Sequence, residues 1–162
     1  MNSAVFPKLD AKEIIVPIIG CSLLLIGASI RIPFYPVPLT LHTFALFLIA
    51  LTQSPKQALY SVSGYLFLLT LGIQGNPFWW MSKCGGYLWA FPIAAYGMAA
   101  MRSKIGNFLK LALGSGFILL CGFVWLIPFV GLAVAWKYGL VVFIPSELAK
   151  IIVVLSLKRR FL

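Results

Sequence analysis

RIPFYPVPLTLHTF, residues 31–44, sets three prolines (Pro33, Pro36 and Pro38) and an arginine between two long apolar runs. A proline donates no amide and pushes the residue before it out of the helical region. The stretch therefore predicts an extended turn between two helices. Upstream the chain is apolar over 14–30 and downstream over 39–51; further apolar runs follow at 58–71, 85–101, 111–130 and 139–157. These six runs predict six transmembrane helices. The second and third are short against the about 20 residues a span needs, so they must borrow Pro36–Pro38 and Ser54–Gln57.

Composition says what solvent those helices meet. The 162 residues are 62% hydrophobic and 10% charged, against about half and about a quarter in a soluble domain. An ordinary core could not hide that much apolar surface, so the chain reads as a single transmembrane domain, 1–162, in a lipid membrane. The net charge of +10 does not point to nucleic acid, because the basic residues are scattered singly and form no face. Cys21, Cys84 and Cys121 lie far apart, which argues for neither a disulfide framework nor a zinc site. The run Ile18-Ile19-Gly20-Cys21 looks loosely like a lipoprotein cleavage site. The apolar segment continues undisturbed beyond it, so a helix cysteine is expected.

Basic residues near helix ends favour the cytoplasm. With the N-terminus inside, Lys8, Lys12, Lys56, Arg102, Lys104, Lys110, Lys158, Arg159 and Arg160 fall on the cytoplasmic side, and Arg31, Lys83 and Lys137 outside. This predicts both termini inside and three external connections: 31–38, 72–84 and 131–138. Trp136 and Tyr138 read equally well as an interfacial aromatic belt. Phe78, Trp79 and Trp80 stand beside Gly75-Asn76-Pro77, a turn sequence that a belt does not need. Proline-fixed backbone at membrane depth is tolerated only against protein or a cavity. The stretch 31–44 is therefore expected to form one wall of a solute pocket and 78–83 the other, although a tight connection without a ligand is the plainer alternative.

Glu147 and Lys150 have no topological excuse. Lys150 lies eight residues before Lys158, about 12 Å deeper at about 1.5 Å per residue. Glu147 lies deeper still, near the midplane of a core about 30 Å thick. Three residues apart on a helix, they can pair. A plain helix start would explain Pro145, Ser146 and Glu147 equally well in water. In lipid a lone charge costs about 2.5–3.5 kcal/mol or more, so a polar cavity or a partner is expected. Pro145 is expected to interrupt the last span and leave a half-helix end near a solute site. His42, the only histidine, reads as a polar residue lining a cavity or closing a helix start. No nucleophile elbow, HExxH, paired carboxylate or phosphate loop is present, so no enzyme activity, cofactor or metal is expected, and the chain cannot hydrolyse ATP by itself.

RIPFYPVPLTLHTF resembles the opening pattern of the BioY family, the biotin-specific substrate-binding (S) components of energy-coupling-factor (ECF) transporters. GGYLWAF, 85–91, is similar to that family's GGYLxGF, and IPSELAK, 144–150, to its P-x-G-D-x-x-K, with Glu147 for the Asp and Lys150 for the Lys. The three motifs stand in family order and cover nearly the whole chain. His42 stands for the usual Gln, Ser146 for a Gly, and Lys83-Cys84 for a typical Pro-Thr or Pro-Arg. The resemblance implies an all-α, S-component-like bundle whose external loops cap a pocket. It implies biotin uptake across the cell inner (cytoplasmic) membrane together with a transmembrane T component and cytoplasmic ATPases. Biotin is an anion with a polar ureido ring. Its carboxylate is expected near Lys83, with Asn76 as helper and Arg31 as the next candidate. Its ureido group is expected at Glu147 and Lys150, and its apolar parts on Phe34, Tyr35, Trp79, Trp80 and Tyr87. The small residues of the first helix, including Gly27 and Ala28, are expected to face the T component. An S component for thiamin or riboflavin, a membrane enzyme and a small channel are the alternatives. The absence of external acids counts against thiamin, that of a catalytic set against an enzyme, and that of polar stripes against a channel.

Overall fold

A computed structural model describes residues 11–75, 77–101 and 105–161. The described chain is mostly helical, with a short hairpin and turns such as 71–75 and 82–84 between helices. In order it runs α1 (Ala11–Ser29), β1 (Arg31–Ile32), β2 (Leu39–Thr40), α2 (His42–Thr52), α3 (Pro55–Thr70), a 3-10 turn (Trp79–Met81), α4 (Gly85–Ala100) and α5 (Asn107–Val130). A single turn, α6 (Leu132–Val134), a π-helical segment (Ala135–Val141) and α7 (Phe143–Phe161) complete it.

Local chemistry sets the boundaries. Gln53 is extended because α2 cannot run on into Ser54-Pro55. Ser54 and Gln57 form a reciprocal capping box that starts α3 with Pro55 in its first turn. The proline stretch is a hairpin: β1 and β2 pair antiparallel, Arg31 opposite Thr40 and Ile32 opposite Leu39. The expected second span is therefore shorter than its apolar run, since Leu39–Thr40 belong to a strand.

Among the described residues, three helical stretches are long and apolar enough to cross a membrane: Ala11–Ser29, Asn107–Val130 and Leu132–Arg160. α2, α3 and α4 have 11, 16 and 16 residues, below the about 20 that cross a bilayer unaided. They are also the most protected, with Phe47, Ile49, Ala50, Ala58, Val62 and Ala95 fully buried. The long helices turn exposed Ile, Leu and Phe outward, which lipid, and not water, makes favourable.

The expected external connection at 131–138 is not a loop. Only Gly131, φ 81°, separates α5 from the last helix, and helical backbone resumes at Leu132. The expected break at Pro145 lies upstream as well. Turns widen over Ala135–Val141, where Val142 N–H reaches back to the Lys137 carbonyl at 3.2 Å. They end at Val141, whose carbonyl a proline at 145 would crowd, while Pro145 itself sits in the first turn of α7. Lys110, counted above among cytoplasmic surface charges, is fully buried. Lys8, Arg102 and Lys104 lie outside the described residues.

The small residues of α1 face inward, not outward. Gly20, Gly27 and Ala28 are buried with Pro17 and Leu24, a stripe of helical period. A Cβ on Gly27 would stand 2.8 Å from the Leu41 carbonyl oxygen. That face lets α1 approach α2 and α3 closely, and the outward face carries Ile15, Ile18, Ile19 and Ile26.

Candidate functional site

A cavity of about 520 Å³ opens between the hairpin, α2, α3, α4, α5 and α7, within the about 300–1,000 Å³ usual for small-molecule sites. At its α7 end Lys150 Nζ lies 2.7 Å from Glu147 Oε1. Thr43 on α2 joins them: its hydroxyl donates to Glu147 Oε1 at 2.8 Å and accepts from Lys150 Nζ at 2.9 Å. Ser115 on α5 donates to Glu147 Oε2 at 3.3 Å.

Counting donors and acceptors shows what this cluster offers. An ammonium has three N–H donors, and Lys150 uses two of them on Glu147 and Thr43. Glu147 Oε1 accepts twice, from Thr43 and Lys150, whereas Oε2 accepts once, from Ser115. One N–H donor and one carboxylate lone pair remain for a guest. Glu147 is buried and Lys150 only slightly exposed, and the pair leaves no net charge at this end of the cavity.

His42 lines the wall with neither ring nitrogen free. Nδ1 pairs with Thr40 Oγ1 at 3.0 Å and Nε2 with the Tyr65 hydroxyl. Tyr65 then donates to Gln74 Oε1 at 3.4 Å, and Gln74 donates to the Leu25 carbonyl at 2.9 Å. The imidazole therefore fixes the wall by tying the hairpin to α3.

The structure brings together Glu147, Lys150, His42, Trp79 and Tyr87, all lining the cavity. Trp79 is buried and anchored by Nε1 donating to Thr70 Oγ1 at 3.2 Å. Tyr87 donates its hydroxyl to the Gly139 carbonyl at 2.6 Å and stacks on Phe143. Phe34, Tyr35, Trp80 and Lys83 do not line it: Tyr35 is 68% exposed, and the Lys83 ammonium stands 4.8 Å from the Tyr35 ring centroid. Asn76 lies outside the described residues. From the hairpin it is Arg31, Val37, Pro38 and Thr40 that reach the cavity, because the turn points Phe34 and Tyr35 outward. Sequence reasoning missed Thr43, Ser115, Tyr65 and Gln74. Thr43 lies within the proline motif and Ser115 is a lone hydroxyl in an apolar run, yet neither shows its partner in sequence.

Comparison with known proteins agrees with this architecture. The BioY family model matches residues 1–162. A probable biotin transporter BioY of Pyrococcus horikoshii is 34% identical over 148 residues, covering 88% of this chain and 91% of that protein. A probable biotin transporter BioY of Rickettsia prowazekii is 29% identical over 155 residues, covering 87% and 78%. The fold is similar to a crystal structure of the S-component for biotin from an ECF-type ABC transporter, with a TM-score of 0.78 at 23% identity over 92% of this chain and 89% of that one. A multi-pass membrane architecture, the three motifs in order and a whole-length family match meet in one conclusion: the chain belongs to the BioY family.

Proposed function

We propose that this chain, 1–162, is a single transmembrane domain that binds biotin and mediates its uptake as the S component of an ECF-type transporter. The observation that carries the reading is the Glu147–Lys150–Thr43 cluster. Its one spare donor and one spare acceptor match the ureido carbonyl and an adjacent ureido N–H, and accepting a neutral ring requires no charge to be stripped from the pair. Relatives named as biotin transporters support the same substrate. Glu147, Lys150, Tyr87 and Trp79 are proposed as biotin contacts, with His42 holding the wall. The proposal further includes six spans with both termini cytoplasmic, in the cell inner membrane, and assembly with a T component and cytoplasmic ATPases. Arg31 is the cation that lines the cavity at the hairpin end, where the carboxylate would lie. The role is binding and transport, without catalysis.

Binding titrations on purified protein with biotin, thiamin and riboflavin side by side test this. Biotin alone should bind, and Glu147→Gln and Lys150→Met should each weaken it at least tenfold, a loss of about 1.4 kcal/mol. Binding of another vitamin in its place, or parent-like biotin affinity in both variants, would remove the assignment.

A further inference from the structure

We infer that Arg31, and not Lys83, is the cation that receives the ligand's carboxylate and makes this site select a free acid over its amide. The inference rests on the biotin reading above and adds which residue reads the second end of the molecule. Arg31, Glu147 and Lys150 are the charged residues on the cavity wall. Glu147 and Lys150 neutralise each other at 2.7 Å. The guanidinium of Arg31 thus gives the cavity its net positive charge.

Strand register explains why it is there. Side chains directly opposite in an antiparallel pair share one face of the sheet. Arg31 lies opposite Thr40, and both line the cavity while Ile32 and Leu39, the other pair, do not. Thr40 is in turn held by His42. His42 lines the same cavity as Arg31 and Lys150. The hairpin is pinned at its base by Leu41 N–H donating to the Ile30 carbonyl at 3.2 Å. Arg31 therefore projects from an ordered backbone. Lys83 by contrast spends its charge on the Tyr35 face outside the cavity. A guanidinium can grip a carboxylate with two parallel hydrogen bonds, a geometry an ammonium cannot match.

The test is a titration of the purified full chain, and of its Arg31→Gln, Arg31→Lys and Lys83→Gln variants, with biotin and with biotin amide. Arg31→Gln should weaken biotin roughly tenfold to a hundredfold, the loss of a charge-assisted contact, while leaving biotin amide within about twofold. Retained amide binding also shows that the variant is folded. Arg31→Lys should recover part of the loss, and Lys83→Gln should match the parent with both ligands. If Arg31→Gln still prefers the acid as the parent does, or Lys83→Gln abolishes the preference, the assignment to Arg31 is overturned and the biotin site stands. If the parent binds neither ligand, the biotin reading fails, and the Arg31 inference fails with it.

Discussion

Tyr87 on α4 and Gly139 in the π-helical segment are joined by a 2.6 Å hydrogen bond, the tyrosine hydroxyl donating to the glycine carbonyl. The bond ties this carbonyl to a side chain 52 residues away in sequence. The ring reaches it through a notch in α5: a Cβ on Gly122 would stand 2.1 Å from ring carbons of Tyr87. Tyr87→Phe keeps the ring and removes this hydrogen bond, so it should cost about 0.5–1.5 kcal/mol. Gly122→Ala should cost more, because a packed ring cannot yield that far. Thermal unfolding in detergent checks both; Gly122→Ala as stable as the parent would contradict the packing.

The buried pair should respond asymmetrically. When Lys150 becomes Met, Glu147 keeps the Thr43 and Ser115 hydroxyls as donors. When Glu147 becomes Leu, Lys150 keeps only Thr43. Breaking a buried pair costs about 3–5 kcal/mol, and Glu147→Leu should lie at the upper end of that range with Lys150→Met below it. Denaturation in mixed detergent ranks the two, and the reverse order would show that other groups hold the lysine.

Gly27→Leu should disrupt the fold of this chain and not only its assembly. The side chain would be driven into the Leu41 carbonyl at the base of the hairpin, beside Ala28 on the cavity wall. Biotin binding and thermal stability should fall together. By contrast Ile18→Ala and Ile26→Ala, on the outward face, should leave binding within about twofold, since a surface change away from the site shifts little. A Gly27→Leu protein that binds like the parent would return α1's small residues to a docking role.

Orientation is checked by single cysteines in a background with Cys21, Cys84 and Cys121 replaced. Lys56 and Lys137 are both exposed and fall on opposite sides of the proposed topology. In intact cells an impermeant thiol reagent should label Lys137→Cys and spare Lys56→Cys. The opposite pattern would invert the topology.

Read by itself, the chain determined its solvent, its helical class and the Glu147–Lys150 end of its candidate site. Those properties are written in runs of neighbouring residues: apolar length, the proline cluster, and a Glu–Lys pair three apart. The pairing of Glu147 with Lys150 was legible because helix geometry alone puts them on one face. Only the tertiary structure decided that Thr43 closes that pair, that His42 is occupied by Thr40 and Tyr65, and that Arg31 lines the cavity while Lys83 does not. It also turned Gly27 and Ala28 inward and made 132–141 helical. In lipid every face of a helix is apolar, so hydrophobic periodicity cannot say which side meets protein and which meets the bilayer. That choice is made by close packing and by which polar groups find one another, and both depend on residues distant in sequence.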